Sequence, residues 1–371
     1  MDRIILDKLQ TPCIVIDMEK TKKNLHAMQY IADLYHCKLR PHVKTHKMPL
    51  FAKLQLKYGA AGITCAKVSE AEVMVDAGID DIFIAYPLVG DFRIKRAIEL
   101  AKKTKRLILA ADSAEGAYAL NGAAKSAGIT FEVRMEVDTG AKRTGIRRQN
   151  AVLLAKVIAG MSNLNLTGIY TFKGLVYHDA PTTDKDKAGL EEGEMMKRLA
   201  GDIKAAGINL VDISAGSTPT GESVAKTGLV TEIRPGTYIF KDYMLYKEGI
   251  AKVEDIAAYI YATVVSTPCD DYAVIDGGTK TFPMDILLNI PPYYYPSYAI
   301  VDGNEDLLLT RLNEEHGILT SKSGKTGLHV GEKIKMIPIH ICTAINMQNQ
   351  VYIYDDHDVT EQRVDARGML V

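Results

Sequence analysis

The run Arg40-Pro41-His42-Val43-Lys44-Thr45-His46-Lys47 packs amines and imidazoles into eight residues. Along an extended chain His42, Lys44 and His46 share one face. Burial of that face would favour the neutral, nucleophilic form of the Lys44 amine, as a Schiff-base lysine requires. Read alone, the octapeptide is equally well a cation-rich strand end. A second feature is Ser214-Ala215-Gly216-Ser217-Thr218-Pro219-Thr220, followed later by Arg234-Pro235-Gly236-Thr237-Tyr238. Small residues let backbone N–H groups approach an anion, and the hydroxyls add donors, which are the parts of a phosphate cradle. A lysine able to form an imine and a phosphate cradle together predict pyridoxal 5′-phosphate, whose phosphate anchors the ring while its aldehyde meets the amine.

His340-Ile341-Cys342 is the third feature. On a strand the two side chains would point the same way, and an imidazole with a thiolate suits Zn2+, which accepts nitrogen and sulfur ligands. Two ligands are an incomplete set, and most such pairs taken alone are packed side chains. Glu315 and His316 could orient those ligands from behind; the alternative is a polar turn ending at Gly317.

Such groups act only where elements hold them. Short β-branched runs alternate with longer amphipathic runs through the first two-thirds of the chain. The pattern predicts strands at 39–44, 62–67, 81–86, 106–111, 130–137, 164–171, 211–215 and 231–234. Helices are predicted at 49–58, 69–77, 91–103, 114–127, 150–160 and 187–206, with Gly59, Gly78, Gly128 and Gly207 at their ends. Eight strands alternating with helices fit an α/β (β/α)8 TIM-type barrel better than an open doubly wound sheet. Lys44 then falls at the first strand end, Arg143 after the fifth strand, and the hydroxyl-rich loops after the seventh and eighth, on the face where barrels carry their active sites. Beyond 242 the texture becomes β-like, at 257–265, 272–275, 333–337 and 351–354, which reads as a C-terminal β domain joined by an early strand at 11–17. The expected division is a cofactor-binding barrel at 22–244 and a β domain of 1–21 and 245–371.

Composition narrows the classes. In 371 residues, 45 Lys and Arg nearly cancel 46 Asp and Glu, leaving a net charge of -1 and no global field toward nucleic acid or an anionic membrane. The N-terminus carries charge too early for a secretory signal, and no stretch is apolar over the roughly 18 residues of a membrane span. Five widely spaced cysteines without a CxxC pair point to reduced thiols. A soluble, cytoplasmic protein that acts on a small molecule is expected.

The segments RPHVKTHK (40–47), EVDTGAKRTGI (136–146), SAGSTPT (214–220), EIRPGTYIF (232–240), EEHG (314–317) and PIHICTAIN (338–346) occur in that order. Together they resemble the D-serine dehydratase and D-threonine aldolase family of the alanine racemase-like fold, over nearly the whole chain. The resemblance implies pyridoxal phosphate on Lys44, Arg143 toward the cofactor ring, and Tyr177, Gly216, Ser217, Thr218, Gly236 and Tyr238 around the cofactor. It also implies a homodimer and a metal on His340 and Cys342, with Zn2+ first and Mn2+ or Mg2+ as alternatives. Cys342 leans to the dehydratase branch. Phe172-Lys173-Gly174 departs from it, since a His-Cys-Gly is usual there, and Leu175 stands where aldolases tend to have a histidine. His178 falls near the aldolase histidine that takes a proton from the substrate hydroxyl; otherwise it is a solvated loop residue beside Asp179. The expectation is a lyase acting on a D-amino acid with a β-hydroxyl, in which Lys44 and His178 move protons. The competing readings are an amino-acid racemase and a non-catalytic carrier of pyridoxal phosphate.

Overall fold

The computed structural model describes residues 7–371, which fall into two compact units. One unit comprises His26–Lys44, Met48–Gly236 and Met369–Val371; the other comprises residues up to Leu25, Thr45–Lys47 and Thr237–Gly368.

The first unit is a parallel barrel. Its strands are β1 (Lys38–Leu39), β2 (Ile63–Cys65), β3 (Asp81–Pro87), β4 (Arg106–Ala111), β5 (Phe131–Asp138), β6 (Leu164–Tyr170), β7 (Asp212–Ser214) and β8 (Glu232–Ile233). They pair in the order β1-β8-β7-β6-β5-β4-β3-β2. A bridge from His42 to Thr64, with the Thr64 N–H donating to Pro41 O at 2.8 Å, returns β2 to the chain leaving β1. Helices fill the connections as the amphipathic runs predict, for example Ala114–Ala127, where the Ser113 hydroxyl accepts the Gly116 N–H and Gly128 takes φ +67° at the C-terminal end.

The barrel interior is layered. Toward the N-terminal strand ends, Glu232 accepts from Arg134 Nη1 at 2.5 Å, Arg40 Nε at 2.8 Å and Ser214 Oγ at 2.6 Å, while Arg134 Nη2 also reaches Asp212 at 2.8 Å. Burial would raise the Glu232 carboxyl, yet Arg134 and Arg40 hold it far below the ordinary carboxylate range. Above lies an apolar cluster of Phe83, Ile108, Ala110 and Tyr170, with Phe83 and Tyr170 edge to face at 4.9 Å.

In the second unit, Ala258–Ser266, Tyr272–Ile275, Gly317–Ser321, Asn304–Leu312, Ala299–Val301 and Lys333–Pro338 close an antiparallel ring. Cys13–Asp17 adds to Ala258–Ser266 with Val15 opposite Tyr259, and Gln350–Asp355 and Asp358–Arg363 extend that edge. Ile337, Ile339, Ile256, Val15, Tyr243 and Tyr295 are among its core residues.

Several segments differ from the sequence reading: the strand expected at 39–44 is only Lys38–Leu39, Gly221–Lys226 and Tyr243–Lys247 are helices, and Ala299–Val301, Asn304–Leu312, Gly317–Ser321 and Asp358–Arg363 are strands outside the predicted set. Residues 18–34, for which no element is predicted, form the helix Met18–Leu34. Residues 340–342 are not a strand: Lys333–Pro338 ends at its proline, His340 caps a short helix, and Cys342 lies within Ile341–Met347.

Candidate active site

Lys44 does not stand on a strand. β1 stops at Leu39, and the chain turns through the 3-10 segment Val43–Thr45. In a three-residue turn, positions i and i+2 no longer share a face. The predicted dehydrated row of His42, Lys44 and His46 is therefore absent: Lys44 is exposed, His42 is partly buried and His46 is buried. Lys44 Nζ lies 5.9 Å from the ring centroid of Phe172, and Arg143 Cζ lies 4.5 Å from the same ring. An aromatic side chain at the C-terminal end of β6 thus brings together the two predicted cofactor-binding cations.

The loops after β7 and β8 are also joined. The Gly236 N–H donates to Thr218 Oγ1 at 3.2 Å, and the Ser217 N–H donates to Thr220 Oγ1 at 3.2 Å. Gly216 has φ +89°, and a Cβ there would stand 3.1 Å from Gly221 Cα, so only glycine fits. Its N–H is committed elsewhere, to Glu192 Oε1 at 3.1 Å, while Glu192 Oε2 accepts from Thr220 Oγ1 at 3.0 Å. Glu192 is fully buried in the helix Lys185–Ala205, and burial pushes its carboxyl above the ordinary range. The Ser217 and Thr218 hydroxyls stand at this turn, Ser217 Oγ 3.2 Å from Thr220 Oγ1 and Thr218 Oγ1 accepting from the Gly236 N–H, and small hydroxyl side chains beside a glycine turn suit a phosphate group. Gly216 contributes its conformation.

Helix Lys185–Ala205 grips a second loop through the preceding residue. Glu191 pairs with Lys173, whose side chain is fully buried, and also accepts the His178 N–H at 3.3 Å. Burial raises the Glu191 carboxyl, but Lys173 more than offsets it and holds the group below the ordinary value. His178 and Asp179, at φ +49° and +61°, form the two-residue tip of a hairpin between Val176–Tyr177 and Ala180–Pro181. The His178 side chain is 72% exposed, with Nδ1 4.0 Å from Glu191 and its ring edge to face with Tyr177 at 4.0 Å. Lys44 and Arg143 meet on Phe172, whereas Tyr177 and His178 are organised by Glu191.

His340 and Cys342 do come together, by a different route from the strand expected. The imidazole and the thiol are near enough for each to stabilise the other's charged form. Burial opposes both charges, but each partner offsets it, so the imidazole is held well above its ordinary value and the thiol below its own. Cys342 Sγ also lies 3.2 Å from Thr45 Oγ1 and 3.3 Å from Thr237 Oγ1. Asp285 Oδ2 is 2.6 Å from His340 Nδ1. Asp242, fully buried, accepts the Ile341 and Leu245 N–H groups at 3.1 Å each, and burial pushes it up to about 6. Tyr238 is buried in the same unit as these residues.

Among the described residues, no group of three or more His, Cys, Asp and Glu side chains is placed to hold a metal ion. The donor pair itself is one that Zn2+ accepts, nitrogen beside an acidified sulfur, with further positions left to water or substrate. Glu315 and His316 do not serve it. Both are exposed, and Glu315 pairs with Lys280 at 2.7 Å, so the polar turn is the correct reading. Asp285, Glu191 and Glu192 are absent from the sequence reading because each meets its partner only through the fold. For Asp285 a signal existed: it is the only charged residue between Lys280 and Asp302.

Residues 16–244 match the family described as "Alanine racemase, N-terminal domain", and residues 257–354 match "Putative serine dehydratase domain". The chain is similar to a D-threonine aldolase of Arthrobacter sp, 30% identical over 367 residues, 98% of this chain and 94% of the relative. It is 31% identical over 348 residues to a D-threo-3-hydroxyaspartate dehydratase of Delftia sp. (strain HT23), covering 90% of this chain and 91% of the relative. A solved structure of D-threo-3-hydroxyaspartate dehydratase, a cysteine-to-alanine mutant in the metal-free form, matches with TM-score 0.88 and 27% identity over 98% of this chain and 99% of that chain.

Proposed function

This chain belongs to the alanine racemase N-terminal family and carries the serine dehydratase-type domain, and on that premise we propose that it is a pyridoxal phosphate- and metal-dependent lyase acting on D-amino acids with a β-hydroxyl. Its relatives of similar length are named as an aldolase and a dehydratase of such substrates. The observation that carries the metal-dependent part is the charge-coupled pair of His340 and Cys342, nitrogen and sulfur donors for which neither a racemase nor a cofactor carrier has a use.

Pyridoxal phosphate, when bound, supplies an aldehyde that condenses with amines and a ring that withdraws electrons from the bonds at Cα. A divalent metal, with Zn2+ the first choice for this donor pair, supplies a Lewis acid toward the β-oxygen. The protein's part follows from its own groups. The exposed Lys44 amine would hold the cofactor and, when free of it, would move the proton at Cα. Arg143, held on Phe172, places a fixed positive charge on the ring that Lys44 also meets. The Ser217 and Thr218 hydroxyls would hold the phosphate on a turn whose shape Gly216 permits and to which the Gly236 N–H is tied. His178, with an exposed side chain on a backbone fixed at Glu191, is the group that would accept a proton from the β-hydroxyl.

We further take the protein to be a cytoplasmic homodimer. All five cysteines are free thiols, in keeping with a reducing compartment. No helix of the described residues is long and apolar enough to cross a membrane. A screen of D-serine, D-threonine and D-3-hydroxyaspartate that detects ammonia and aldehyde separately tests the activity. Release of either product supports the lyase, and racemisation without either overturns it.

A further inference from the structure

Asp285 stands in an irregular apolar segment, Phe282-Pro283-Met284-Asp285-Ile286-Leu287-Leu288, yet its side chain has a defined pair of partners. One oxygen, Oδ2, lies 2.6 Å from His340 Nδ1 and 3.1 Å from Thr343 Oγ1. The other nearby carboxylate, Asp242, is occupied by the Ile341 and Leu245 backbone N–H groups. The His340 ring therefore has the Asp285 carboxylate on Nδ1, and the Cys342 thiol two residues along the chain acts on its charge.

We propose that Asp285 is the positioning residue of the His340–Cys342 pair. By accepting a hydrogen bond from Nδ1 it holds the imidazole in the tautomer whose lone pair is on Nε2 and limits rotation of the ring. It also makes the imidazole a stronger donor, because a carboxylate on the distal nitrogen raises the electron density of the proximal one. Thr343, three residues after His340, fixes the carboxylate in turn. The inference rests on the reading of His340 and Cys342 as metal donors and adds the residue that prepares one of them.

The test measures metal affinity on the full-length protein. Chelator-stripped protein is titrated with Zn2+ against a chromophoric competitor, and with Co2+, whose thiolate charge-transfer band reports on Cys342. Asp285→Ala should weaken Zn2+ binding roughly 10- to 100-fold, the range typical of lost outer carboxylates. Asp285→Asn should lose less, since its amide oxygen still accepts from Nδ1 while the charge is gone. Both variants should melt within a few degrees of the parent in the metal-free state, because Asp285 is partly exposed and buries no core group. If the parent binds Zn2+ with a cobalt–thiolate band and both variants bind equally well, the role of Asp285 is wrong and the donor pair stands. If the parent binds neither ion, the donor-pair reading fails and this inference falls with it. If metal-free Asp285→Asn is destabilised as much as its zinc binding is weakened, Asp285 is a fold contact and not a positioning residue.

Discussion

The ammonium of Lys173 is buried against the carboxylate of Glu191, and the same carboxylate takes the backbone N–H of His178. One residue of helix Lys185–Ala205 thereby fixes both the segment leaving β6 and the hairpin that carries His178. Removing one partner leaves a buried charge without its counterion, which typically costs about 3–5 kcal/mol. Lys173 is the fully buried partner, so Glu191→Gln should be destabilising by roughly that amount in urea unfolding, and adding Lys173→Met should recover most of the loss. A Glu191→Gln variant as stable as the parent would show that the pair does not hold the loop.

Lys44→Ala should abolish the visible absorbance of the lysine-bound cofactor and leave no borohydride-reducible adduct. The motive is that Lys44 and Arg143 both meet the Phe172 ring. A reducible adduct that persists on a different lysine would contradict the assignment.

Glu192 accepts from Gly216 and Thr220 and so shapes the turn that offers Ser217 and Thr218. At about 1 kcal/mol per hydrogen bond, Glu192→Ala should weaken cofactor binding roughly tenfold or more, while Glu192→Gln can still bond both partners and should stay near the parent. Absorbance titration of cofactor-free protein measures both, and equal affinity for all three proteins would count against a role for Glu192.

Burial pushes the Glu248 carboxyl up to about 8, although Tyr295 donates to it at 3.1 Å. The folded protein therefore keeps this proton to higher pH than the unfolded chain, which loses it at the ordinary glutamate value. The sign follows: Glu248 makes stability fall as pH rises between about 4.5 and 8. Glu248→Gln should remove that slope and be more stable than the parent at about pH 8, by a few kcal/mol at most, with little difference at about pH 4.5. Denaturant midpoints at the two pH values measure it, and a parallel decline in both proteins would refute it.

The barrel was legible because most of its strands lie in short apolar runs followed by a polar or turn residue, as in Arg106–Ala111 and Asp81–Pro87. The helix Met18–Leu34 was not, because its buried face interleaves Thr21, Asn24 and Gln29 with Met18, Leu25 and Ala32, which dilutes the apolar stripe. Asn24 instead spends its amide on the Ile239 and Asp255 carbonyls at 3.1 and 2.9 Å. The chemistry was legible residue by residue and less so in its geometry. Alternation placed Lys44 on an inward face and His340 with Cys342 on a strand, but a 3-10 turn and a helix start occupy those positions. Lys44 still reaches Arg143 through Phe172, and His340 still reaches Cys342, because local turns bring them together. Asp285 and Glu192 could not be found this way, since the first lies 55 residues from His340 and the second 28 from Thr220.

We propose that a divalent metal on His340 and Cys342 is needed for bond breaking at Cβ but not for cofactor binding. Hydroxide is a poor leaving group and an alkoxide is costly near neutral pH, so the β-oxygen needs a Lewis acid, whereas imine exchange needs only amine and aldehyde. The direct measurement is turnover of D-serine and D-threonine by the cofactor-loaded protein before chelation, after it, and after Zn2+ is restored, with Cys342→Ala alongside. Full cofactor absorbance with turnover lost on chelation, regained with Zn2+, and missing in Cys342→Ala is the predicted result. Turnover at the parent rate by the chelated protein or by Cys342→Ala would contradict it and move the racemase reading to first place.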